Sequence, residues 1–205
     1  LLSNKNLLYA VSIFLVIIII TSCSDKGEKV PVLDYNNKAQ LLEVVKKHYN
    51  PNAVFATGGI FDDSGKQMIG VGIEVENNED WGIKFALLQT VDEHLTVKFE
   101  SELLDGSFKE SLIDKIKFSS FGNELLYYNS QSYFMGSGGG EIFSYIVNFN
   151  DKEIYYAHLV VEPSNVTSLF ISDNTENKEI KNFFNLTFKK DYPNLKIVTD
   201  DIIFE

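Results

Sequence analysis

The chain has 205 residues, of which 44% are hydrophobic, 13% aromatic and 23% charged, a globular composition rather than a disordered one. Its 29 acidic side chains outnumber 18 basic ones, all of them lysine, and a net charge of −11 excludes the basic footprint that nucleic-acid binding requires. Four prolines and the lack of any repeat or low-complexity tract exclude collagen-like and solenoid architectures.

Residues 7–20 form an apolar run broken only by Tyr9 and Ser12, with Lys5 before it and Thr21, Ser22 and Cys23 after it. A spanning helix needs about 20 apolar residues. A shorter run with a cation in front and small residues behind fits the core of a secretory signal, an uncleaved anchor over residues 7–22 being the alternative. Ile20-Thr21-Ser22-Cys23 resembles the lipobox of bacterial lipoproteins. The resemblance covers residues 1–25 and implies cleavage before Cys23, transfer of diacylglycerol to its thiol, and acylation of the new amine by a chain such as palmitate. Small side chains at Thr21 and Ser22 let a peptidase close around the backbone, and the Cys23 thiolate is the nucleophile. The implied location is the bacterial cell envelope, with Ser24, rather than Asp, in the position that resembles an outer-membrane address.

Cys23 is the only cysteine, so a disulfide, a catalytic cysteine and a cysteine metal cluster are all excluded from the mature chain. Removal of the signal, residues 1–22, takes away Lys5 alone among the charges and leaves a net of −12. Such a chain repels anionic headgroups. Residues 23–37 read as the lipidated cysteine and a tether, whose fourteen residues after Cys23 would span roughly 20 Å root-mean-square.

Residues 38–205 read as a single domain, and no family resemblance extends into it. Asn37 with Gln40 predicts the cap of a helix with apolar Leu41, Leu42, Val45 and Tyr49, ended by Asn50-Pro51. Four strands in meander order follow: 53–61, 69–76, 83–91 and 95–100, with Asp62-Asp63-Ser64-Gly65 as a turn. In the second, Ile69, Val71, Ile73 and Val75 alternate with Gly70, Gly72, Glu74 and Glu76, which predicts one buried and one wet face. Ser107 with Glu110 predicts a capping box and a short helix over Phe108, Leu112 and Ile116. Strands at 125–134, 141–149, 153–162 and 166–172 are apolar on both faces and are expected in the middle of a sheet covered by helices. Asp173 and Glu176 predict the cap of a last helix bearing Ile180, Phe183, Phe184 and Phe188, and a strand over 195–204 closes the chain. The expectation is an α+β fold with a mainly antiparallel sheet: helix, four strands, helix, four strands, helix, strand.

Catalytic patterns are scarce. Gly136-Ser137-Gly138-Gly139-Gly140 leads into a strand, not a helix, and no Lys-Ser or Lys-Thr follows, so it reads as a hairpin loop or a ligand-facing loop rather than a phosphate cradle. His48, His94 and His158 form no ligand pair, and neither a metal nor a cofactor is expected. Glu74 with Glu76, and Glu100 with Glu102, share strand faces but read as solvated. Glu93 and His94 read as neighbours on opposite faces of a strand. Tyr127, Tyr128, Tyr155 and Tyr156 read as packing residues, while Trp81, Tyr133, Gly136, Gly138 and Gly140 are the candidates for contact with a ligand or partner.

These features point to a lipid-anchored binding module, membrane-attached through Cys23 and facing a basic protein or a glycan; an inhibitor or immunity protein is the sharper version. An envelope hydrolase using carboxylates, with Glu141 or the acidic pairs, is the alternative, and a structural part of an envelope assembly is the third reading.

Overall fold

A computed structural model describes residues 29–77, 80–130, 139–162 and 167–198. Helix α1 (Lys38–His48) precedes strands β1 (Ala53–Gly59), β2 (Met68–Glu76), β3 (Trp81–Val91) and β4 (His94–Glu100). Strands β5 (Ser111–Ile116), β6 (Leu125–Ser130), β7 (Gly140–Asn148), β8 (Glu153–Val161) and β9 (Thr167–Ile171) follow, then helix α2 (Lys178–Asp191) and strand β10 (Lys196–Val198). The α+β class and the dominance of antiparallel pairing agree with the sequence. The strands make two sheets rather than one, in the orders β1-β2-β3-β4 and β10-β9-β8-β7-β6-β5, with β10 parallel to β9 across α2.

Side-chain alternation stacks these elements in four layers. Ile69, Val71, Ile73, Ala86 and Leu88 pack under Leu41 and Val45 of α1 on one side of the first sheet. Leu125, Tyr127, Ile146, Ala157 and Leu169 pack under Ile180, Phe184 and Phe188 of α2 on one side of the second. The remaining faces meet through a mostly aromatic layer that includes Phe61, Phe85, Tyr128, Tyr145 and Phe149. Each aromatic ring fully buried there contributes about 2–3 kcal/mol relative to exposure. The central strands of the second half are thus covered by a helix on one face and by the other sheet on the opposite one.

Several expectations are overturned. The Gly70 and Gly72 positions of β2 are not wet: a Cβ on Gly72 would lie 2.5 Å from Phe108 Cζ, and one on Gly70 3.1 Å from Phe61 Cζ, so glycine admits the rings of the middle layer. In β4, Leu95, Val97 and Phe99 alternate with Thr96, Lys98 and Glu100, a pattern that predicts one buried face, but that face is split. A register shift opposite Leu87 and Leu88 sends Phe99 to the aromatic layer and Leu95 to the α1 side, with Val97 exposed. The helix expected after Ser107 is a turn followed by β5. Ser107 Oγ accepts from Lys109 N–H at 3.1 Å and donates to Glu74 at 2.7 Å, and Glu110 takes φ +60, which a right-handed helix does not accommodate. Glu93 lies in a turn, not on a strand: with Asp92 it forms a two-residue connection in which both φ angles are positive. The cap of α2 is Asn177, whose side chain accepts from Glu179 and Ile180 N–H, in place of Asp173 and Glu176.

Asn37 caps α1 as expected, its Oδ1 accepting from Gln40 N–H at 3.1 Å. The Gln40 side chain reaches past the cap to Asp34 N–H, also at 3.1 Å, and so ties down the segment before the helix. That segment lies against the body. Val30 is buried and donates its N–H to the Glu93 carbonyl at 2.7 Å, and Leu33 and Tyr35 pack on the α1 core. The Tyr35 backbone crosses where only glycine fits, since a Cβ on Gly58 would sit 2.2 Å from the Tyr35 carbonyl oxygen. Among the described residues no helix is long and apolar enough to cross a membrane. Cys23 and most of the expected final strand lie outside the described residues.

Candidate functional site

Among the described residues, two places that gather chemically active side chains stand out. The first is an open depression of about 480 Å³ where the α1–β1 link, the ends of β2 and β4 and the start of β3 meet. Glu74, Asp80, Glu100 and Glu102 share its lining with the single ammonium of Lys84, and Leu103 supplies an apolar rim. The pairing of Ala86 with Glu100 and of Ile73 with Lys84 brings the Lys84 and Glu100 side chains together at 3.1 Å on the α1 side of the sheet. Tyr49, the residue that ends α1, donates its hydroxyl to Glu100 at 2.5 Å. The Tyr49 hydrogen bond and the Lys84 ammonium hold the Glu100 carboxyl below the usual carboxylate range, whereas burial and the Glu100 charge raise the Tyr49 phenol. The Lys84 ammonium is taken by Glu100, so the other three carboxylates of the lining, those of Glu74, Asp80 and Glu102, give the depression its negative charge.

The second place is a histidine–carboxylate pair on the aromatic face of the second sheet. His158 of β8 stacks on Phe143 with centroids 4.6 Å apart and planes 11° apart, and its Nε2 lies 3.2 Å from Glu141 Oε2. Tyr145 donates its hydroxyl to the Asp105 carbonyl at 2.9 Å and stacks on Tyr156, placing Asp105 near the same group. Burial lowers the His158 pKa, and the charges of Glu141 and Asp105 oppose it. A neutral imidazole then donates Nε2–H to Glu141, which is the orientation a carboxylate gives a general base. Sequence reasoning singled out Glu141 but set His158 aside. The turn at Asn150-Asp151 pairs Phe143 with His158 and Glu141 with Val160, so the two polar residues are diagonal neighbours, a relationship computable from that turn alone.

Of the expected contact residues, Trp81 begins β3 opposite Glu76, is 42% exposed, and is not among the residues lining the depression, although it follows Asp80, which is. Gly140 is a buried position at the start of β7, opposite Val161. Tyr133, Gly136 and Gly138 lie outside the described residues. Tyr127, Tyr128, Tyr155 and Tyr156 are all buried. Among the described residues no group of three or more His, Cys, Asp or Glu side chains is arranged to hold a metal ion. Comparison with protein-family models, curated proteins and solved structures gives no match.

Proposed function

We propose that the chain is a lipid-anchored bacterial envelope protein that acts without catalysis, as a binding module for a basic protein segment. The acidic depression carries this reading: four carboxylates against one ammonium form a surface that attracts lysine or arginine side chains. The lipobox-like run ending at Cys23 supports the anchor, and the charge of the mature chain supports fast capture of a cationic partner. An inhibitor or immunity protein has this combination of needs.

The test is affinity capture from the native envelope extract with residues 24–205 as bait. A stoichiometric basic protein held at low salt, released at high salt and lost on the double reversal Glu100→Lys, Glu102→Lys supports the reading. Capture that is indifferent to the reversal counts against it. For the anchor, Cys23→Ala should move the protein from the membrane to the soluble fraction.

The second reading, an envelope hydrolase using carboxylates, is favoured by the Glu141–His158 pair. Turnover of a peptidoglycan or oligosaccharide substrate that disappears in Glu141→Gln would establish it.

A further inference from the structure

We infer that the domain stands on its membrane with the β3–β4 turn toward the bilayer and the acidic depression facing away from it. This rests on the lipid anchor proposed at Cys23, and it goes beyond that reading by assigning a direction to the body.

Residues 29–37 do not form a free leash before α1. Val30 N–H is bonded to the Glu93 carbonyl, the Lys29 ammonium contacts the Glu93 carboxylate, and the Tyr35 hydroxyl meets Thr90 Oγ1 at 3.4 Å. The chain is therefore fastened to one end of the first sheet, the end that holds the β3–β4 turn and the β1–β2 loop. Only residues 24–28 separate Cys23 from Lys29. Whatever their conformation, six Cα-to-Cα steps reach no more than about 21 Å. The depression sits at the other end of the same sheet, by Asp80, Glu74 and Glu102. Strand β3 runs its eleven residues between the two ends, a separation of roughly 35 Å.

The experiment uses the full-length lipidated protein in vesicles of phosphatidylethanolamine and phosphatidylglycerol carrying a headgroup-linked energy acceptor. Because Cys23 is the only native cysteine and the lipid occupies it, an introduced cysteine takes a single donor dye. Lys66→Cys, in the β1–β2 loop, and Lys46→Cys, in the last turn of α1, are both exposed and remove the same charge. Energy transfer to the bilayer is expected to be several-fold greater from position 66 than from 46. The difference should collapse when a long Gly/Ser linker is inserted after Ser24. Equal or reversed transfer from a vesicle-bound protein overturns the orientation alone. Recovery of the protein free of vesicles overturns the anchor and the orientation together, while leaving capture by the soluble bait unaffected.

Discussion

His158 and Glu141 sit on neighbouring strands, diagonal to one another across the β7–β8 pair, with 3.2 Å between the ring nitrogen and the carboxylate oxygen. Burial keeps this imidazole below the ordinary 6.5, against the pull of Glu141 and Asp105. The unfolded chain therefore takes up the proton at a higher pH than the folded one. The stability contribution is complete above about pH 6.5 and is lost as the pH falls toward the folded midpoint. Ring NMR titration should give His158 a midpoint below 6.5, and Glu141→Gln, which removes a charge favouring the protonated ring, should lower it further. A midpoint that rises in the variant would contradict the assignment.

Gly72→Ala should destabilise the protein by about 1–3 kcal/mol, because its new methyl group would meet the Phe108 ring at 2.5 Å. Combining it with Phe108→Leu should recover part of that loss. Urea unfolding of the four members of the double-mutant cycle measures the coupling; strict additivity would mean that the ring moves aside freely.

Tyr128 is fully buried, and its hydroxyl accepts from Ser107 N–H at 3.0 Å while donating to the Ser107 carbonyl at 2.7 Å. Tyr128→Phe keeps the ring in the aromatic layer and strands both backbone groups. A loss of about 1–3 kcal/mol in thermal or denaturant unfolding is expected. A neutral substitution would show that water replaces the hydroxyl.

Lys152 adopts φ +59 in the β7–β8 turn, a left-handed conformation that costs a side-chain-bearing residue about 1–2 kcal/mol. Lys152→Gly should raise stability by about 1 kcal/mol, less whatever glycine adds to the entropy of the unfolded chain. Calorimetry on the variant decides the sign.

The first four strands were legible because period-two alternation and the turn at Asp62-Asp63-Ser64-Gly65 are local signals. The second sheet's position was hidden by glycine. At Gly70 and Gly72 a small residue marks a surface pressed against rings, and period-two reading cannot tell that from a solvated one. Strand β5 was misread because Leu112 and Ile116 satisfy both a helical i, i+4 spacing and a strand spacing of two. The positive φ of Glu110 is decided by the packing of Phe108 and the Ser107–Glu74 bond, which link distant parts of the chain. At the acidic depression, the Glu100–Glu102 spacing was readable, but the hydroxyl of Tyr49, 51 residues away, was not. The Glu141–His158 pair needed only the register of one hairpin.

Each sheet is one contiguous half of the chain, and this order matters while the protein is being made. A ribosome finishes β1 to β4 before it reaches any strand that will cover them. For that interval Phe61, Met68, Phe85 and Leu87 have no partner sheet, and the nascent chain carries an aromatic surface open to its neighbours. Whenever the first sheet forms ahead of the second, this aromatic surface is the part of the molecule left uncovered.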